Sequence, residues 1–152
     1  MINIQSATRD DQQQIKRLIN QILVEYKLPP DPNGVDYDLD HIEEQYNNNY
    51  GYFGVLKFDE EVVATLGIYR INAITCELRK MYMAAEFRGR GIGNGLLEFA
   101  MNKARSLGYQ HMILETASSL VEAINLYKKF GFNEIFPDHL AERCDRAYEI
   151  YL

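Results

Sequence analysis

The chain has 152 residues, of which 47% are hydrophobic, and its formal net charge is −6 at pH 7. This length predicts one domain over residues 1–152, and the acidic balance argues against a nucleic-acid partner, because contacts to phosphates need a basic surface. No apolar run approaches the roughly 18 residues that cross a membrane, so no membrane partner is expected.

The first third of the chain predicts one strand and two helices. Alternating apolar and polar residues over 1–7 indicate a strand, and Thr8, with acidic residues behind it, is typical of a helix N-terminus. This first helix ends before Pro29 and has one apolar stripe, formed by Ile15, Leu18, Ile19, Ile22 and Leu23. A weaker apolar pattern predicts a second helix over 38–47.

Three strands of an antiparallel meander follow, with short polar connections between YFGVLKF, EVVATLGIYRI and TCELRKMYM. The third run contains a break in its alternation, because Leu78 cannot share a face with Met81 and Met83. A bulge near Arg79–Lys80 would restore the register. The alternative is that Leu78 or Met81 faces another layer of a sheet that is covered on both sides.

The pattern then changes to alternating helices and strands. Helical spacing predicts a helix over 92–107, and HMILET predicts the next strand. Ser119 and Glu122 fit a capping box for a further helix that ends at Gly131. FNEIF and RAYEIYL predict two closing strands. The strand–helix–strand crossover implies one parallel pair inside a mixed sheet.

A glycine-rich loop, Arg88–Asn94, precedes the long predicted helix. Glycine lets a ligand approach the backbone, and a helix N-terminus offers unpaired N–H groups with a partial positive charge. We expect these amides, ringed by the guanidiniums of Arg88 and Arg90, to bind phosphate oxygens. The alternative is a flexible loop with solvated arginines. Neither a P-loop nor a dinucleotide fingerprint fits, since the third glycine of the latter would fall on Asn94 or Leu96.

The segment RGRGIG, residues 88–93, matches the R/Q-x-x-G-x-G/A motif of the GNAT superfamily of N-acetyltransferases. The chain also resembles that superfamily in ELRKMYM upstream and AINLYKKFGF downstream, at the usual separations. The predicted order of elements is similar over nearly the full length. The segments around LPPDP, DLD and RCDRAY resemble those of a bacterial acetyltransferase subgroup.

The resemblance implies the acyl-CoA N-acyltransferase fold, in the α/β (α+β) class. This is a mixed, mostly antiparallel central sheet with a β-bulge and a splayed parallel pair, and with helices on both faces. Acetyl-CoA is the implied cosubstrate, with its pyrophosphate on the loop amides and its pantetheine arm between the splayed strands. The implied cofactor-binding residues are Met81, Tyr82, Met83, Arg88, Gly89, Arg90, Gly91, Ile92, Gly93 and Asn94.

The implied activity is transfer of an acetyl group from acetyl-CoA to a primary amine of a small molecule or peptide, by direct attack in a ternary complex. Two other interpretations stay open. One is a non-catalytic acyl-CoA-binding sensor or interaction module, and the other is a dinucleotide-dependent enzyme.

Acetyl transfer needs a neutral amine and benefits from a proton for the departing thiolate. Tyr127 matches the general-acid tyrosine of the family, although a tyrosine on an apolar stripe is commonly a packed core residue. Glu77, in the strand that leads to the bulge, is the predicted base. The alternatives are that Glu77 is a surface carboxylate or a partner for Arg79, that Glu115 is the base, or that water removes the proton.

One position departs from the pattern of the family. Many relatives carry an asparagine that contacts the cofactor where this chain has Leu120. We expect that contact to pass to Ser118 or Ser119, or to be absent.

The acceptor pocket of this fold usually lies between segments that correspond to residues 26–39 and 137–146. Acidic residues in both segments favour a cationic amine. Arg143 and Arg146 favour instead a substrate that also carries a carboxylate. Ordinary surface charge is the third option, so the acceptor stays open.

The remaining polar residues give few signals. Cys76 and Cys144 lack the spacing of metal ligands, so no metal site is expected. Few cysteines and no signal peptide predict a cytoplasmic protein, and a homodimer is compatible with the sequence. The three histidines are scattered, and we assign them no role.

Overall fold

The computed structural model describes residues 2–152. Its strands are β1 Gln5–Ser6, β2 Tyr52–Phe58, β3 Glu61–Arg70, β4 Thr75–Met83, β5 His111–Thr116, β6 Asn133–Ile135 and β7 Arg146–Tyr151. Its α-helices are α1 Gln12–Glu25, α2 Ile42–Gln45, α3 Ile92–Ser106 and α4 Val121–Lys129. Short 3₁₀ turns cover Arg9–Asp11, Tyr37–Asp40, Asn47–Asn49 and Ala85–Phe87.

All the strands form one seven-stranded sheet in the order β1-β2-β3-β4-β5-β7-β6. Every neighbouring pair is antiparallel except β4 and β5, which α3 connects as a parallel crossover. The predicted mixed, mostly antiparallel sheet is therefore confirmed, including the meander and the single parallel pair. The last strand, β7, inserts between β5 and β6, so the C-terminal segment lies beside the crossover.

Helices cover both faces of the sheet, as predicted. On one face, α1 buries the predicted apolar stripe against Phe53 and Val55 of β2. On the other face, α3 and α4 pack over Leu66, Cys76 and Met112. Because side chains alternate along a strand, β2, β3 and β4 contribute to both cores. None of the helices within residues 2–152 has the length and apolar character needed to cross a membrane.

Two predicted elements are shorter or more broken than expected. The first strand is only Gln5–Ser6, and Met1 lies outside the described residues. The predicted helix over 38–47 is wrong as one element, because the chain forms two 3₁₀ turns around the one-turn helix α2. The hydroxyl of Tyr46 donates to the buried carboxylate of Asp38, and this contact holds the segment in its bent path.

The predicted capping box of the last helix is also wrong. Helix α4 begins at Val121, and the residue before it, Leu120, offers no side-chain cap. The neighbouring Ser118 instead gives its amide and its hydroxyl to the carboxylate of Asp145, each at 2.7 Å. This contact with the loop before β7 fixes a turn ahead of α4, so local helix signals do not set where the helix starts.

The bulge predicted near Arg79–Lys80 is confirmed. Gly67 pairs with Arg79 but Thr65 pairs with Tyr82, so β4 has one residue more than β3 between these two pairs. Lys80 takes a φ of +54°, and the hydroxyl of Thr65 donates to its carbonyl at 2.6 Å. The shift lets the predicted apolar set of β4 pack against a single core, with members Leu78, Met81 and Met83.

The bulge also buries a charge. The Nζ of Lys80 lies 3.1 Å from a carboxylate oxygen of Asp38 and 3.4 Å from one of Asp36, and it donates to the carbonyl of Val35 at 2.9 Å. Arg143 donates to both oxygens of Asp36, at 2.5 and 2.7 Å. This buried ion cluster, Asp36, Asp38, Lys80 and Arg143, ties the loop after α1 and the loop before β7 to the bulge. Although burial opposes ionisation, Arg143, a backbone amide and Lys80 together hold the pKa of Asp36 below its ordinary value.

We expect Lys80→Met to lower the free energy of unfolding by about 3 kcal/mol, because removing one partner leaves buried carboxylates uncompensated. The matched control is Lys16→Met, which removes a 2.6 Å ion pair with Asp40 on the surface and is expected to cost less than about 1 kcal/mol. Urea unfolding of both variants measures the difference. Equal losses would show that the buried ion cluster does not hold the fold.

A second test concerns Tyr148, whose buried hydroxyl has no hydrogen-bond partner within residues 2–152. Tyr148→Phe removes a desolvated polar group, so we expect the free energy of unfolding to rise by about 1 kcal/mol. Tyr109→Phe is the control, because its hydroxyl donates to the carbonyl of Tyr50 at 2.7 Å. This control is expected to lose about 1 kcal/mol. Destabilisation of both variants in the same urea assay would contradict the assignment for Tyr148.

Candidate active site

The site begins where β4 and β5 stop pairing. The two strands are in register only over Thr75–Glu77 and His111–Ile113, although β4 continues to Met83 and β5 to Thr116. Beyond Glu77 the strands diverge and open a cleft of about 430 Å³. The splayed parallel pair that the sequence predicted is therefore present.

The cleft brings most of the predicted site residues together. Its walls include Glu77, Met81, Tyr82, Met83, Arg88, Gly89, Gly91, Gly93, Asn94 and Tyr127. Two predicted cofactor-binding residues lie elsewhere. The exposed guanidinium of Arg90 lies over the ring of Phe87, 5.5 Å from its centroid, and Ile92 packs against the core beneath α3.

The glycine loop presents a row of free amides at one end of the cleft. The N–H groups of residues 89–94 find no acceptor among residues 2–152, and the first helical bond runs from Gly95 to the carbonyl of Gly91. Gly89 and Gly91 have φ values of +76° and +78°, where a side chain would be strained. No atom lies within 4 Å of the position that a Cβ would occupy on either glycine, so the loop surface is open to a ligand. Converging amides at a helix N-terminus form an anion-binding surface.

The arginines do not ring this surface in the predicted way. The guanidinium of Arg88 donates to both carboxylate oxygens of Glu25, at 2.5 and 3.1 Å, and to the carbonyl of Met83 at 3.0 Å. Arg88 therefore ties the end of α1 to the end of β4, and Arg90 covers Phe87. The amides of the loop, not the guanidiniums, are therefore the groups left free to bind an anion.

Tyr127 lies in the last turn of α4 and lines the same cleft. Its ring packs near those of Phe132 and Tyr148, and only 5% of the residue is exposed. Its hydroxyl makes no hydrogen bond with any of residues 2–152, although buried tyrosine hydroxyls usually have a partner. Burial, with smaller contributions from Tyr82 and Cys144, raises its pKa well above the ordinary value. The phenol is therefore a proton donor at neutral pH.

Glu77 lies at the last paired position of β4, where the cleft begins. Its carboxylate is buried and accepts from Nε of Arg79 at 2.7 Å, so it is a partner for that arginine as well as a wall of the cleft. Burial raises the pKa of Glu77; Arg79 opposes the rise and Glu115 adds to it. A carboxylate with a raised pKa that reaches a cleft is suited to accept a proton.

Glu115 lies on the neighbouring strand, on the same face as Glu77. Because Glu77 is opposite Ile113, the period of two along β5 places Glu115 one step further into the opening. One of its oxygens accepts from the amide of Ala141 at 2.7 Å, and its side chain lines the cleft.

Sequence reasoning missed several parts of the wall. Cys144 lines the cleft, and burial, with Glu115 nearby, raises the pKa of its thiol to about 11. Leu120 lines it as well, whereas Ser118 bonds to Asp145, and neither Ser118 nor Ser119 is part of the wall.

A charged Lys80 inside an apolar strand was the one local signal of the buried ion cluster. Nothing in the local pattern around Cys144 identifies it.

Within residues 2–152, no group of three His, Cys, Asp or Glu side chains is placed to hold a metal ion. The site has loop amides at one end of the unpaired edge of β4 and Glu77 and Glu115 at the other, and Tyr127 lines the same cleft. This arrangement can bind an elongated anionic ligand and move protons at its far end.

Comparison with solved structures supports this description of the fold. The chain is similar to an acetyltransferase from Streptococcus agalactiae, with 27% identity, a TM-score of 0.90 and coverage of 99% of this chain and 98% of that one. It is also similar to a phosphinothricin acetyltransferase from Sinorhizobium meliloti solved in complex with AcCoA. That likeness has 18% identity, a TM-score of 0.76 and coverage of 99% and 88%.

Comparison of sequences identifies the family. The uncharacterized N-acetyltransferase YjgM of Escherichia coli is 35% identical over 133 residues, which are 84% of this chain and 80% of that protein. The model of the acetyltransferase (GNAT) family matches residues 17–132, which include β4, the glycine loop and Tyr127. The chain therefore belongs to the acetyltransferase (GNAT) family.

Proposed function

We propose that the protein, as one domain over residues 1–152, transfers the acetyl group of acetyl-CoA to a primary amine of a small molecule or peptide. The amine attacks directly while both substrates are bound. The observation that carries the proposal is one cleft that joins unpaired loop amides to the hydroxyl of a largely buried tyrosine, Tyr127, which has no partner among residues 2–152. A structural neighbour solved with AcCoA supports the choice of donor.

The cleft offers groups suited to two parts of coenzyme A, the pyrophosphate and the pantetheine arm. Amides of Gly89–Asn94 would hold the pyrophosphate, because they are free, converge at the N-terminus of α3 and have no Cβ at the two strained positions. The edge of β4 that faces the opening would hold the pantetheine arm, since Met81–Met83 have lost β5 as a partner on that side. Unpaired strand edges readily bind an extended chain that carries amides.

The chain's own residues would perform the proton transfers. When bound, acetyl-CoA supplies a thioester carbonyl that an amine can attack. Glu77 takes a proton from the acceptor ammonium, directly or through water, so that the neutral nitrogen can form the new C–N bond. Tyr127 donates its hydroxyl proton to the sulfur as the C–S bond breaks. The nitrogen then releases a second proton, which restores Tyr127 through solvent, and the products are an amide, the CoA thiol and one proton.

The environment of each group matches its task. Burial raises the pKa of Tyr127, so its phenol stays protonated and can donate a proton to a group in the cleft. Arg79 holds the Glu77 carboxylate in place, while burial makes that carboxylate a stronger base than an exposed one.

The phosphate end is tested by Gly91→Glu, which places a carboxylate among the loop amides. We expect the dissociation constant for CoA, measured by calorimetry, to rise at least about tenfold. Gly108→Glu is the control, because Gly108 also has a positive φ and open space around it but lies outside the cleft. If Gly91→Glu binds CoA as well as Gly108→Glu does, the loop amides are not the phosphate site.

The acid role is tested by Tyr127→Phe, which we expect to lower kcat about 100-fold in an assay of thiol release. Affinity for CoA should change less than about threefold, because the hydroxyl acts only on the departing sulfur. Tyr148→Phe is the control, since that ring lies 6.3 Å from the ring of Tyr127 and outside the cleft wall. Unchanged turnover in Tyr127→Phe would remove its role. CoA binding without thiol release for any amine would favour a binding module instead.

A further inference from the structure

We infer that the acceptor amine carries a second positive charge and no carboxylate, and that Glu115 binds that second charge. The inference rests on the proposed function and narrows its substrate class. It follows from which charged groups of the cleft are already engaged within the protein.

Every cationic side chain that lines the cleft is already in an ion pair. Arg79 is bound to Glu77 at 2.7 Å, and Arg88 is bound to Glu25 at 2.5 Å. The other two, Lys80 and Arg143, belong to the buried ion cluster, with side chains 2% and 6% exposed. Each lining cation within residues 2–152 is therefore already neutralised by a carboxylate of the protein.

The carboxylates of the cleft are not all paired with a cation. Glu115 accepts one backbone amide, from Ala141, and no cation of residues 2–152 pairs with it. It lies close enough to Glu77 and to Cys144 to raise the pKa of each. This part of the cleft therefore has an uncompensated negative charge beside the predicted base, and such a charge favours a cation.

A second observation places a ligand at this position. Tyr127 is 5% exposed, its hydroxyl has no partner within residues 2–152, and it lines the cleft together with Cys144 and Glu115. Because that hydroxyl borders the cleft and is not bonded to the protein, it is available to a ligand bound there. The reacting nitrogen therefore belongs between Glu77 and Tyr127, and the second cation of the acceptor belongs at Glu115.

Two of the three options that the sequence left concern the charge of the acceptor, and the structure separates those two. The segments 26–39 and 137–146 do face each other across the acceptor side, through the contact of Arg143 with Asp36. That contact occupies Arg143, and Arg146 lies 3.5 Å from Glu134, outside the cleft. The arginines that favoured an amino-acid-like acceptor are thus unavailable.

The test uses the purified full chain, acetyl-CoA and thiol release with three matched series of three to six carbons: α,ω-diamines, n-alkylamines and ω-amino acids. We expect the best diamine to have a kcat/KM at least about tenfold above the alkylamine of the same length, and the amino acid to be the poorest of the three. Activity with amino acids equal to or above that with diamines would overturn the inference while leaving the proposed function intact. No thiol release with any amine would instead overturn the proposed function.

Glu115→Gln tests the residue, because the amide oxygen can still accept from Ala141 while the charge is lost. We expect the diamine-to-alkylamine ratio of kcat/KM to fall below about threefold, mainly through the KM of the diamine. Glu122→Gln is the control, since Glu122 also lines the cleft without an ion pair in residues 2–152, and its ratio should stay at the wild-type value. An equal fall in both variants, or a ratio unchanged in Glu115→Gln, would show that Glu115 does not bind the second charge.

Discussion

The extra residue at Lys80 is the constraint on which the site depends. By shifting the register of β4, it brings Leu78, Met81 and Met83 to one core and turns the strand away from β5. The backbone edge that would have paired with β5 then lines a cleft instead. The ammonium of the same residue lies on the opposite face, where it pairs with Asp36 and Asp38 of the loop after α1. A positive φ at a lysine is costly, and the bond from Thr65 together with the buried carboxylates offsets that cost.

The main effect of the buried ion cluster is to fix the positions of the two loops around Asp36, and its net contribution to stability is smaller. An apolar cluster of similar volume would often be as stable or more so, because burying charges costs solvation energy. Ion pairs with fixed geometry, however, allow only one arrangement of the two loops around Asp36. Arg143 reaches Asp36 from the far end of the chain, so the cluster joins the first and last parts of the site across the sheet.

The sequence predicted those features whose cause is local. The mismatch between Leu78 and Met81 sufficed to locate the bulge, and the glycine loop was visible because strained, open positions require glycine. Features set by distant partners were not predictable. The segment over 38–47 bends because Asp38 meets Tyr46 and Lys80. The expected cap of α4, Ser119, lies before the start of the helix at Val121, next to a turn that the bond between Ser118 and Asp145 holds.

Under the proposed function, the ion pairs of Arg79 and Arg143 also fix the direction in which acetyl-CoA binds. A free Arg79 or Arg143 near Glu77 would compete with the loop amides for phosphate and could hold the ligand the wrong way round. With those guanidiniums bound to carboxylates, only the N-terminus of α3 attracts the phosphates, while Glu115 leaves the opposite end negative. The two ends of one cleft therefore attract ligands of opposite charge, and each ligand is excluded from the end that binds the other.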